Sequence, residues 1–230
     1  MRRFWKEVAA IADTGGWRVE LDSRPLRTPA RALLLVPTAR LAEEIAGEWR
    51  NSPDEVEPRA MPLTGLANAA LDRVAVDKDA FAANLARYGE SDLLAYRAEA
   101  PAGLVERQAA AWDPLLQWAR RRFDVDFVVT SGITFVPQAP STVARLSHAV
   151  AALDGFRLAA LSPLVTISGS LVAALAVLEG EVSPAQAWVA VTVDEAWQLE
   201  KWGSDAEAEH ALGNRRRDFM AAARFLALLD

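Results

Sequence analysis

The sequence predicts an α+β protein, with a small β-rich N-terminal unit over residues 1–60 and a mainly α-helical domain over residues 61–230. Three observations carry this expectation. Trp17-Arg18-Val19-Glu20-Leu21 alternates apolar and polar side chains, the period of a half-buried strand. From Thr38 onward the apolar residues recur at helical spacing. Between the two lie turn residues, Asp22-Ser23 and Pro37, that punctuate short extended segments.

In chain order, residues 4–12 read as an opening helix. Gly15-Gly16 reads as a turn, because a strand and not a helix follows it, so it is no phosphate-binding loop. Residues 17–21, 25–29 and 32–36 read as extended, together a small antiparallel sheet. Thr38 can cap a helix whose stripe is Leu41, Ile45 and Trp49. Further helices are expected over 63–74, 81–88 and 104–123, the last with a break or restart at Asp113-Pro114. Residues 127–136 are rich in β-branched side chains and should include a strand, with no obvious partner. Helices at 142–153, 162–178, 183–202 and 205–229 complete the chain. Ser183-Pro184-Ala185-Gln186 is an explicit helix start, with a capping serine, proline at the first position and glutamine three residues after the cap; Gly203 is the matching stop.

Composition narrows the function. The chain has 230 residues, 52% hydrophobic and 24% charged, enough to bury a core. Its net charge of −6 disfavours nucleic-acid and anionic-membrane partners. The arginine triplets at 120–122 and 215–217 lie in helical patterns and read as solvated faces. There is no cysteine, so disulfides, thiolate catalysis and cysteine-bound zinc are excluded. The uncharged run 158–178 is long enough to span a bilayer, but Pro163, Gly169 and three serines make it a buried core helix, and no membrane insertion is expected. His148 and His210 show no metal spacing, and Ser168-Gly169-Ser170 lacks the frame of a nucleophile elbow. No catalytic, cofactor-binding or metal-ligating residue is assigned.

Two features remain. The chain has eight tryptophans, which fill a core or anchor a recognition surface. On a single helix over 183–202, Trp188, Val191, Leu199 and Trp202 share one side, and Glu195 falls among them. A carboxylate there needs a partner, either an internal arginine or another protein.

The ordered set of motifs resembles a known family. It runs through Phe4-Trp5-Lys6, Leu21-Asp22, Thr28-Pro29, Val36-Pro37-Thr38, Leu41-Ala42, Glu48-Trp49, Met61-Pro62-Leu63-Thr64 and Asp72. It continues with Ser91-Asp92-Leu93-Leu94, Tyr96-Arg97, Gln108, Trp112-Asp113-Pro114-Leu115-Leu116 and Trp118, and closes on Asp194-Glu195-Ala196-Trp197-Gln198, Glu200 and Trp202-Gly203. The family is that of the assembly chaperones for the alpha subunit of the ATP synthase catalytic head, found in mitochondria and alphaproteobacteria. Asn51-Ser52-Pro53 departs from it, standing where a glutamine is expected.

The resemblance implies a non-enzymatic chaperone that binds the unassembled alpha subunit, prevents its aggregation and promotes assembly of the head. It implies no cofactor and no nucleotide requirement. The carry-over assigns partner binding to Glu195 first, then to Trp197, Glu200 and Trp202. The start Met1-Arg2-Arg3-Phe4-Trp5-Lys6 has no apolar signal core, which points to a bacterial cytoplasm, or to the mitochondrial matrix for a processed eukaryotic form. The alternative is a carboxylate-dependent enzyme with its site between the two domains, Glu195 acting as a general acid.

Overall fold

A computed structural model describes residues 2–203 and 205–230. The chain forms two compact units. The first takes residues up to Lys78 together with Asp154–Ala160 and Ala221–Asp230. The second takes Asp79–Leu153 and Leu161–Met220. The domain boundary expected after residue 60 therefore falls inside the first unit.

The first unit begins with β1 (Val8–Asp13) and β2 (Gly16–Leu21), an antiparallel hairpin with Asp13 opposite Gly16. Residues 4–12 are thus not a helix. Their alanines suit one locally, but each residue of β1 pairs across to β2, and strand preference follows such neighbours more than intrinsic propensity. Gly15 takes φ +87° at the turn, a conformation open to glycine at little cost. β2 is also paired by β3 (Arg24–Pro25) and β4 (Leu35–Val36), both antiparallel.

Helix α1 (Ala39–Arg50) packs on β1 and β2. Thr38 caps it, its hydroxyl accepting from Leu41 N at 3.2 Å, and Leu41, Ile45 and Trp49 are buried as the stripe predicts. Helix α2 (Pro62–Ala69) runs on into a wider π-turn at Ala70–Val74. Its first turn is capped from a distance. The Glu48 carboxylate accepts from Leu63 N at 2.7 Å, Thr64 N at 2.8 Å and Thr64 Oγ1 at 2.7 Å. Burial pushes the Glu48 carboxyl up from its ordinary value, against those donors. The Trp5 ring packs tilted against that of Trp49, centres 5.0 Å apart, and Trp5 donates to the Trp49 carbonyl, while Trp49 donates to Thr64 Oγ1. Asp72 accepts from Thr28 Oγ1 and Ala30 N. Residues 221–230 close this unit: Phe225, Leu226, Leu228 and Leu229 are buried, and Thr38 Oγ1 donates to Leu228 O.

The second unit contains α3 (Lys78–Ala86), the short strand β5 (Tyr96–Arg97), α4 (Ala102–Phe123), β6 (Thr130–Ser131) and α5 (Pro140–Ala151). Helix α4 passes through Pro114 without a break, with Trp112, Leu115, Leu116, Trp118 and Ala119 buried on either side of it. β6 gives the 127–136 segment its partner, pairing in parallel with β5. Helix α6 (Gly155–Ser168) starts in the first unit and ends in the second.

The single helix expected over 162–178 is two. It is interrupted at Gly169, which takes φ +71°, and α7 (Leu171–Leu178) restarts from a Ser170 cap. Pro163 lies within α6 and does not open it. Residues 171–176 are all buried, so α7 is a central core helix. Its N-terminus is held by the fully buried Asp92, whose carboxylate accepts from Val172 N at 2.9 Å and Leu94 N at 3.0 Å. Among the described residues no helix is long and apolar enough to cross a membrane.

Candidate partner-binding site

The helix expected over 183–202 is also two, α8 (Pro184–Val191) and α9 (Val193–Trp202). The capping box forms as predicted, with Ser183 Oγ accepting from Gln186 N and Gln186 Oε1 accepting from Ser183 N. The break falls at Thr192, whose hydroxyl donates back to Trp188 O at 2.7 Å. A new helix start then places Asp194 and Glu195 in a first turn, where negative charge complements the helix dipole. One wheel over 183–202 therefore does not hold. Trp188 is buried against Phe219, away from any shared stripe with Trp202. Helix α9 ends at Gly203, whose N–H donates to Leu199 O, and α10 (Ala206–Ala227) follows.

The four candidate residues fall into two pairs. Glu195 and Trp202 line a cleft of about 400 Å³ with Leu199, Gln198, Leu212 and Arg215. Glu195 Oε1 accepts from Arg215 Nη1 at 3.0 Å, and Arg215 Nη2 donates to Ile167 O. The pair is incompletely covered, with the Glu195 side chain 34% and that of Arg215 42% exposed. Trp202 is 77% exposed at the mouth of the same cleft. So the carboxylate is neither locked in the core nor unpaired.

Trp197 and Glu200 turn toward α4. Arg107 donates to both Glu200 oxygens, at 2.7 and 2.8 Å, and this contact holds the Glu200 carboxyl below its usual range. The Arg107 guanidinium lies 4.8 Å and the Lys201 ammonium 4.9 Å from the centre of the Trp197 ring. The ring also packs on Gly103, where an added Cβ would come within 3.0 Å of the indole. Asp194 accepts from Gln108 Nε2 at 2.7 Å, and the buried Gln108 in turn accepts from Ala98 N. These contacts orient α9 on α4.

Arg107 and Gly103 were not singled out from the sequence, and Arg215, read there as part of a solvated face, instead pairs with Glu195 and donates to Ile167 O. Each acts across a long stretch of chain, with no periodic or spacing signal to mark it. Among the described residues no group of three or more His, Cys, Asp or Glu could hold a metal ion.

This is a mixed sheet-and-helix scaffold bearing an acidic helix that ends in an exposed tryptophan. The family sequence model described as ATP12 chaperone protein matches residues 2–120, and the chain belongs to that family. The whole chain superposes on the crystal structure of Atp12 from Paracoccus denitrificans with a TM-score of 0.95, at 44% identity and covering 98% of that chain. An aspartate-to-lysine mutant of the same protein matches equally well. A solved structure from Agrobacterium tumefaciens is 35% identical, with the same TM-score over 86% of its length. The mitochondrial protein atp12 of Schizosaccharomyces pombe is 28% identical over 225 residues, 93% of this chain and 77% of that protein.

Proposed function

We propose that this chain, a chaperone of ATP synthase assembly, holds the unassembled alpha subunit and releases it to the beta subunit without using a nucleotide. The observation that carries the reading is family membership together with the cleft under Trp202. A large exposed indole beside a half-exposed carboxylate suits capture of a partner surface, where tryptophans serve as anchors. A subunit built to sit between neighbours presents apolar interfaces before assembly, and these aggregate unless covered. Stoichiometric cover needs no catalytic group. In this reading Glu195 and Trp202 meet the client, Trp197 and Glu200 fix the helix that presents them, and the protein works in a bacterial cytoplasm, or in the mitochondrial matrix as a processed eukaryotic form.

Light scattering by refolding alpha subunit tests this in ATP-free buffer. Equimolar protein should suppress the scattering, and unchanged scattering would overturn the proposal. Purified beta subunit added afterwards should displace the chaperone.

A further inference from the structure

The turn between β3 and β4 is held harder than an ordinary surface turn. The hydroxyl of the buried Thr28 accepts from Ala32 N at 3.1 Å and donates to Asp72 Oδ1 at 2.6 Å. Asp72 Oδ2 accepts from Ala30 N, Arg31 N donates to Thr28 O, and Arg27 Nη1 donates to Arg31 O. These bonds fix Arg31 at φ +71°, in the left-handed region where glycine is relaxed and an arginine is strained. Strain of this kind persists only where the surroundings over-determine it, and it gathers at ligand sites. The turn holds out two guanidinium groups. Arg27 and Arg31 are both exposed, and among the described residues neither has a carboxylate partner.

Arg27 and Thr28 form one side of a cleft of about 430 Å³ that is otherwise mainly apolar, lined by Pro29, Trp49, Val56, Pro58 and Met61. Of the residues lining it, Arg27 alone is charged. Asn68 also lines the cleft, and its Oδ1 is buried with no hydrogen-bond partner. Buried acceptors are rarely left unmet, and a backbone N–H laid in the cleft would meet this one after a small turn of the amide. The acids nearby do not cancel the arginines. Asp72 has both oxygens taken by the turn, and Glu55 and Glu57 flank Val56 with Arg2 bridged to the first and Arg59 two residues past the second. In a chain of net charge −6 this corner invites an anion. A phosphate backbone would use the arginines and leave the apolar wall idle. An acidic peptide with one large apolar side chain uses both.

We propose that this cleft docks an extended acidic segment of a partner protein. Its carboxylates meet the guanidinium forks of Arg27 and Arg31, and one large apolar side chain enters between Pro29, Trp49 and Met61. This rests on the chaperone reading only in naming the client as the source of the segment.

The probe is a labelled peptide with one phenylalanine between two glutamates on each side, read by fluorescence anisotropy against the full chain at low salt. It should bind more tightly than the same peptide built with lysines, and alanine in place of its phenylalanine should weaken it by about tenfold or more. Arg27→Gln with Arg31→Gly should weaken it as much. That variant should unfold thermally no earlier than the parent, because Arg27 is exposed and glycine takes the φ of residue 31 without strain. Arg27→Glu with Arg31→Glu should shift preference toward the lysine peptide. No binding, equal binding of the glutamate and lysine peptides, indifference to the phenylalanine, or unchanged binding by the Gln/Gly variant would overturn the proposal. So would stronger binding of a single-stranded oligonucleotide at the same arginines, or a dimer in sedimentation that the Gln/Gly variant dissolves, since the occupant would then be a nucleic acid or a second copy. The alpha-subunit scattering assay is read separately: suppression without peptide binding removes this cleft alone, and peptide binding without suppression removes only the client as its source.

Discussion

Glu195 shares its charge with Arg215 while keeping a third of its side chain in water, and this fixes what its removal should do. An ion pair so exposed contributes little to stability, so Glu195→Ala should change the free energy of urea unfolding by no more than about 1 kcal/mol. Client binding should fall, and it should fall further for Glu195→Lys, which sets a second cation beside Arg215. A loss of stability several times larger, with binding intact, would make the residue architectural. Asp92 is the opposite case. Burial pushes its carboxyl up to about 6 from 3.8, against the pull of the Val172 and Leu94 amides. The folded state therefore keeps this proton in a window where the unfolded chain has lost it. The contribution to stability is full below about pH 4 and fades as pH rises through 6, by roughly 3 kcal/mol in all. Urea titrations between pH 4 and 7 should show that decline, and Asp92→Asn should flatten it. Many motif residues prove to be joints within one unit: Trp5 on Trp49, Thr28 to Asp72, Gln108 to Asp194. Their spacing marked the family but gave no hint of which residues they would meet.

Element by element, legibility followed how local the controlling interaction is. Thr38 and Ser183 announce their helices because a cap acts within three residues, and both are found as read. The β1 strand was invisible because its reason lies across the hairpin, in β2. The breaks at Gly169 and Thr192 carried a signal, glycine between two serines and a run of β-branched residues, which the strength of the apolar pattern overrode. Helix α2 shows a third situation, a helix start with no capping side chain of its own that depends on Glu48 of α1. Glu48→Ala should leave the Leu63 and Thr64 amides without their acceptor and cost about 2 kcal/mol in urea unfolding. Glu48→Gln, which keeps one acceptor oxygen, should cost less. An alanine variant as stable as the parent would show that α2 does not need this cap.

At the scale of the whole molecule, the first unit is assembled from three separated stretches of chain. Periodicity could not show this, since it describes each stretch without saying which sheet it covers. The last stretch matters most: Phe225 is fully buried, Arg224 pairs with Glu44 at 2.5 Å, and Arg157 pairs with Asp230. Deleting Ala221–Asp230 should therefore speed amide hydrogen exchange in β1, β2 and α1 by more than about tenfold. Unchanged protection there would show that the sheet and its helix stand without that cover. The same arrangement has a consequence during synthesis. Residues up to Lys78 leave the ribosome early, yet the side chains that close over them are not translated until residues 79–220 have followed. For that interval the side of α1 that pairs with Arg224 and Leu228 stands uncovered. A protein whose work is to shield another thus spends its own synthesis unshielded, and its yield in the cell should depend on what escorts the growing chain.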